Sequence, residues 1–236
     1  MAAASRTAQV YESLKEELLN GRHAPRSKLA IDALAMRFSV SVGAVREALS
    51  RLTSDRLVEA VPQRGFVVAA VSRADLIDLT GVRIEIETRC LRQSIERGSV
   101  AWEGRLISTW HQLSHVAASP LGRMHPDWAR LHAQFHDDLV SACESPWWLR
   151  LRESLYMQAE RYRRMILPGA QARRDIHAEH RQIVESTLAR DADRAVAALA
   201  EHMQKTTDDL LEAGLGGLEQ QEARTTAREE HHGKNG

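Results

Sequence analysis

Aromatic residues are scarce in this chain of 236 residues, at 5%, and long apolar runs are missing. No run reaches the roughly 18 apolar residues that a transmembrane helix needs, so no membrane partner is expected. The N-terminus, MAAASRTAQVYESLKEELL, lacks the apolar centre of a secretory signal, and a cytoplasmic protein is the expectation. Cysteine is limited to Cys90 and Cys143. Two cysteines cannot build a disulfide framework, and a pair of buried thiols in a reducing compartment is the simple reading. Neither charge sign is in excess: 32 Lys and Arg face 32 Asp and Glu. That balance hides a split. Residues 1–72 carry 10 basic against 7 acidic side chains, and residues 73–213 carry 19 against 21. A small basic excess on the first segment is compatible with a nucleic-acid partner. Hydrophobic residues at 43% are enough for a packed core, and Ala, Leu, Arg and Glu favour helices.

The pattern of apolar residues divides the chain. Val10, Tyr11, Leu14 and Leu18 recur at helical spacing over 6–20, and Gly21 follows as a stop. A short helix is expected over 31–38, with Ile31, Leu34, Ala35 and Phe38 on one face. Ser41 suits the N-cap of a second helix whose stripe is Val45, Ala48, Leu49 and Leu52. Two short helices with a tight connection make a helix-turn-helix. Two β-rich runs, 57–61 and 66–71, flank the turn residues of PQRG and add a hairpin, giving a winged helix-turn-helix. Beyond residue 73 the pattern is helical throughout. Six helices are expected near 73–97, 101–118, 126–144, 147–167, 171–189 and 191–213. The fold class is therefore mainly α: a winged helix-turn-helix domain over 1–72, a six-helix bundle over 73–213, and a disordered tail over 214–236.

In a helix-turn-helix the second helix enters the major groove and its first residues reach base edges. Ser41, Gly43 and Arg46 occupy that end, and Arg46 can pair with guanine through two hydrogen bonds. Arg26, Lys28, Arg37 and Arg51 are placed to meet phosphates, which orient a protein without reading sequence. Arg64 and Gly65 form the wing tip, where glycine allows close approach and arginine favours a narrow minor groove.

The second segment holds a different constellation. His132 and His136 are four residues apart on one helix, so both imidazoles share a face. His180 and His202 lie on the last two helices, 22 residues apart, and an antiparallel pair can bring them level. Four converging imidazoles suit a divalent ion such as Zn or Ni. The zincin signature also uses two histidines four apart, but with a Glu directly after the first, and here that position is Ala133.

The first segment resembles the GntR family of bacterial regulators. The resemblance rests on Leu34-Ala35, Val40-Ser41, Val45-Arg46-Glu47-Ala48-Leu49, Leu57-Val58 and Gly65-Phe66-Val67. Ser39 stands where the family usually has a turn glycine, and Val42 where it often has a DNA-contacting arginine. Residues 73–213 resemble the all-α FCD domain that follows the winged helix in one branch of that family. Arg83 with Glu87, His132 with Phe135-His136, and His180 with His202 carry that likeness, although the first ligand is usually Asp rather than His.

This resemblance implies a homodimeric repressor, with no enzymatic activity. It would bind a pseudo-palindromic double-stranded DNA operator and sense a small organic acid, such as a short dicarboxylate. The effector would meet the metal and the side chains of Arg83, Glu87, Arg161 and Arg163, since arginine pairs well with carboxylates. Two alternatives stay open: the same regulator with a metal-free effector pocket, and a metal-dependent hydrolase with Glu87 as its base.

Overall fold

A computed structural model describes residues 5–117, 127–166 and 174–213, and the expected tail over 214–236 lies outside them. Along the described chain run α1 (Arg6–Leu19), β1 (Lys28–Leu29), α2 (Ile31–Phe38), α3 (Val42–Ser54), β2 (Val58–Val61) and β3 (Gly65–Val68). Six helices follow: α4 (Arg73–Arg97), α5 (Val100–Ala117), α6 (Trp128–Val140), α7 (Pro146–Ile166), α8 (Ile176–Leu188) and α9 (Ala192–Ala213).

The strand pattern is richer than the expected hairpin. β1 pairs antiparallel with β3 on the side away from β2, so the sheet order is β1-β3-β2. Lys28 faces Val67 and Leu29 faces Phe66. Two residues are too few to show strand alternation, which is why the sequence does not announce β1. α6 ends at Val140, four residues before its expected end. The backbone turns at Cys143, which donates to the Val140 carbonyl at 2.9 Å, and Pro146 then disfavours helical geometry at Ser145.

The chain forms two compact units, and the division is not a single cut near residue 72. One unit holds the chain up to Asp78 together with α7 from Tyr156 and α9 from Asp209; the other holds Leu79–Leu155 and α8 with the first part of α9. In the first unit α1, α3 and the sheet close over Val10, Leu14, Leu18, Val45, Leu49, Leu52, Leu57 and Val68, and Met157 of α7 packs against them. In the second, Leu91, Trp102, Leu106, Phe135, Leu139, Ile183 and Leu199 form the core. Cys90 and Cys143 are both free and buried. Burial, followed by the neighbouring Cys143, pushes the Cys90 thiol up to about 12.

The turn between α2 and α3 depends on Ser39, which sits in the left-handed region at φ 54 and caps α2. A side chain there is strained, because its Cβ crowds the following carbonyl. Ser39→Gly is expected to raise stability by up to about 1 kcal/mol. Urea unfolding checks this; an unchanged or lowered midpoint would contradict it.

Candidate nucleic-acid interface and candidate metal centre

In the first unit, the Ser41 hydroxyl accepts a hydrogen bond from the Ala44 amide at 3.2 Å and starts α3. Val45, Ala48, Leu49 and Leu52 bury one face of the helix. Val42, Gly43, Arg46, Glu47 and Ser50 are left on the opposite, exposed face. Arg46 makes no hydrogen bond or ion pair among the described residues, so its guanidinium is available to a partner. Lys28 is exposed on β1, and Arg64 is exposed between β2 and β3, beside Gly65 at φ 83. The Arg26 amide joins the sheet through the Val68 carbonyl at 2.9 Å. Arg37 and Arg51, expected at phosphates, have partners inside the unit. Arg37 donates to Glu17 at 2.8 Å, and Arg51 lies 4.0 Å over the Tyr11 ring.

The last turns of α7 complete this unit. Gln158 donates to the Asp55 carbonyl, the C-cap of α3, at 2.6 Å. Tyr11 holds the Asp55 carboxylate at 2.6 Å. Tyr162 donates to Asp75 at 2.6 Å and accepts from the Ser72 amide at 3.1 Å.

Here the geometry departs from the expectation for Arg161 and Arg163 as effector ligands. The Arg161 guanidinium is buried against the carbonyls of Ala69 and Ala70, where the chain leaves β3. That of Arg163 is held by Glu160, with Nε to Oε2 at 2.7 Å. Arg164 also donates to Glu160, at 2.6 Å, and reaches Glu16 at 2.8 Å. Burial would raise the Glu160 pKa, but hydrogen bonds from Arg163 and Arg164 hold the carboxyl below its usual range. These arginines are ties within the first unit.

The second unit brings His132 and His136 of α6, His180 of α8 and His202 of α9 together, all buried. Their ligand atoms lie within 4.8 Å of one another. Nε2 of His136 is 3.2 Å from Nε2 of His132, and Nε2 of His180 is 3.3 Å from Nε2 of His202. The edge of a tetrahedron with metal–nitrogen bonds of about 2.0 Å is about 3.3 Å, so both pairs match ligands of one ion. Burial, and then the neighbouring histidines and arginines, push His136 and His180 well below their ordinary values. Neutral imidazole is the form that binds metal. The donor set fits a borderline divalent ion.

A surrounding shell fixes the rings. His202 Nδ1 is 2.8 Å from Glu179, and Arg174 grips that carboxylate with two bonds of 2.7 Å. Arg174 also reaches Thr206 at 3.0 Å. Burial alone would raise the Glu179 carboxyl, but its bonds to His202 and Arg174 bring it to about 2. An ionised Glu179 draws the His202 proton to Nδ1 and turns the Nε2 lone pair toward the cluster. Trp128 stacks on His132 with centroids 4.4 Å apart, and Trp110 stacks on His177 at 4.9 Å.

Beside the cluster lies a buried ion network. Arg83 donates to Glu87 at 3.1 Å, Arg152 of α7 donates to the other oxygen of Glu87 at 3.0 Å, and Arg152 also binds Asp137. The charges of Arg152 and Arg83 both act on His136. Arg83 and Glu87 were singled out in sequence; Arg152, Arg174 and Glu179 were not. Arg152 does leave a trace, because it interrupts the apolar stripe of Trp148, Leu155 and Tyr156 on α7. A lone Arg in such a stripe needs a buried partner.

A winged helix with an exposed recognition helix, carried on the same chain as an all-α unit with a polar buried centre, defines a two-part DNA-binding regulator. The chain belongs to the gntR family of bacterial regulatory proteins, whose domain matches residues 6–68, with an FCD domain over residues 78–205. It is 38% identical over 209 residues to the uncharacterized HTH-type transcriptional regulator BphR of Paraburkholderia xenovorans, covering 87% of this chain and 85% of that protein. It is 33% identical over 198 residues to the HTH-type transcriptional repressor GlaR of Escherichia coli, covering 82% and 90%. The solved structure of E. coli McbR/YncC shares the fold with a TM-score of 0.72 at 21% identity, over 89% of this chain and 99% of that one. The chain is thus a transcriptional regulator and not an enzyme, which removes the hydrolase alternative. No described helix is long and apolar enough to cross a membrane.

Proposed function

We propose that this chain is a cytoplasmic, homodimeric repressor that binds a pseudo-palindromic operator and is released by a small organic acid. The acid binds at a pocket holding Zn or Ni on His132, His136, His180 and His202. The observation that carries the sensing half is the convergence of four buried imidazole nitrogens in the second unit. When bound, the ion supplies a Lewis-acidic centre for carboxylate oxygens. Arg83 and Arg152 add positive charge for a carboxylate beside that centre, and Glu87 holds both guanidinium groups in place. A short dicarboxylate suits a centre of this size and charge. The repressor role is supported by the relative named as a transcriptional repressor.

For DNA, the observation is the exposed face of α3 with its available Arg46. Base contacts are assigned to Ser41, Gly43 and Arg46, and backbone contacts to Arg26, Lys28, Arg64 and Gly65. Arg37 and Arg51 can meet phosphate while keeping Glu17 and Tyr11. A two-fold dimer matches an operator with two half-sites. An effector shifts DNA affinity only by its differential affinity for the two states, and DNA weakens effector binding by the same factor.

The test is elemental analysis with native mass spectrometry on gently purified full-length chain. About one Zn or Ni per chain, with a co-purified acid, supports the reading. A metal-free dimer that still binds DNA points instead to the close Nε2 pairs as imidazole–imidazole hydrogen bonds, and to an effector pocket without metal. Glu179→Gln is expected to weaken metal binding about 10- to 100-fold, because His202 loses the group that sets its tautomer. Competition with a chromophoric chelator reads this; wild-type affinity would remove Glu179 from that role.

A further inference from the structure

The head of α3 has two features that the fold itself does not account for. Val42, its first residue, exposes 40% of its surface although it is apolar. Gly43, its second, has room for a side chain. A Cβ there would meet only the Ser41 hydroxyl, at 3.8 Å, an ordinary contact. Gly43 has no positive φ either. Glycine in a helix costs stability relative to alanine, so one kept without a backbone or packing reason marks a place where a partner comes close. The Ser41 hydroxyl meanwhile accepts from the Ala44 amide. Val42, Gly43 and Arg46 thus form the outer surface of the first turn.

We propose that Val42 reads thymine through its 5-methyl group, and that Gly43 provides the clearance that lets α3 settle deep enough for this contact. The thymine methyl is the apolar mark of the major groove, and an aliphatic side chain is its usual complement. Val42 and Arg46 are four residues apart on one face, roughly 6 Å along the helix. With base pairs stacked about 3.4 Å apart, the thymine lies one or two base pairs from the guanine read by Arg46. This inference rests on the proposed docking of α3 in the major groove.

The experiment uses the full-length chain and duplexes that it selects from a random DNA pool. Thymines in an enriched duplex are then replaced one at a time by uracil, which lacks only the methyl. One thymine per half-site, within two base pairs of a guanine, is expected to lose about fourfold affinity on replacement, the equivalent of one buried methyl. In Val42→Ala that thymine and uracil bind alike. Gly43→Ala keeps or raises the thermal midpoint and binds the same duplex at least about tenfold more weakly, since the added methyl meets the DNA. The inference is overturned if Val42→Ala still distinguishes thymine from uracil, or if Gly43→Ala binds as wild type. Arg46→Ala separates the two levels. If it weakens binding while uracil has no effect at any position, α3 docks but Val42 does not read the methyl. If no duplex is enriched, or Arg46→Ala binds as wild type, the docking of α3 falls and this inference with it.

Discussion

Replacing His180 by alanine is expected to abolish metal binding at the proposed centre. His180 is buried on α8, and its ring faces those of His132, His136 and His202 with centroids 5.1, 5.5 and 4.6 Å away. The variant leaves three imidazoles around a polar cavity that water can enter. Structural metal binding by four ligands is worth about 10–16 kcal/mol, so an even share per ligand corresponds to roughly a hundred- to thousandfold loss of affinity. Metal content after dialysis against a mild chelator reads the result. His177→Ala is the control. His177 lies one turn earlier on the same helix, stacked on Trp110, and is not in the cluster. Loss in His180→Ala with retention in His177→Ala is the expected pair of outcomes. Full occupancy in His180→Ala would remove the cluster as a metal centre.

The largest expected loss of stability comes from Arg152→Ala. Arg152 is 5% exposed and joins Glu87, itself 2% exposed, to Asp137. Burial would lower its pKa, but Glu87 and Asp137 raise it above its ordinary value, so it stays charged. Truncating one partner of a buried ion pair leaves the other desolvated, at a cost of about 3–5 kcal/mol. Total stability of a domain is only about 5–15 kcal/mol, so the variant loses about 30–50% of a mid-range value of about 10 kcal/mol. Arg83 still reaches Glu87, which sets the lower end of that range. Chemical denaturation measures the loss. The double variant Glu87→Gln with Arg152→Met should recover part of it, because Glu87 is then uncharged and Arg83 keeps a neutral acceptor at that position. A loss below about 1 kcal/mol in Arg152→Ala would mean that water or Arg83 already compensates Glu87.

How much of this was legible in the sequence follows from the range of each interaction. Helix α3 was readable because Val45, Ala48, Leu49 and Leu52 repeat at the period of the structure they form. The histidines were readable because two share one helix and two share a helical hairpin, so spacing stands in for distance. Arg152 and Glu87 are 65 residues apart on different helices, and no local period relates them. Glu179 was hidden by its ordinary appearance. A Glu beside a His on an amphipathic helix looks solvated until Arg174 and His202 close on it. The internal partners of Arg161 and Arg163 were hidden for the converse reason. A run of basic residues suggests a surface for an anion, yet carbonyl oxygens and Glu160 supply the negative partners from within.

The hydrogen bonds from α7 to the winged helix carry a consequence for how the protein is made. Gln158 and Asp55 are 103 residues apart in sequence, and Tyr162 follows Ser72 by 90. At translation rates of about 5–20 residues per second, a ribosome that has finished α3 works on for about 5–20 s before it supplies the partner of the α3 cap. During that interval the nascent winged helix has its apolar core but lacks the caps from Gln158, Arg161 and Tyr162. A message truncated before α7 would release a DNA-binding unit in that unfinished form, open to proteases at the α3 cap and at the exit from β3.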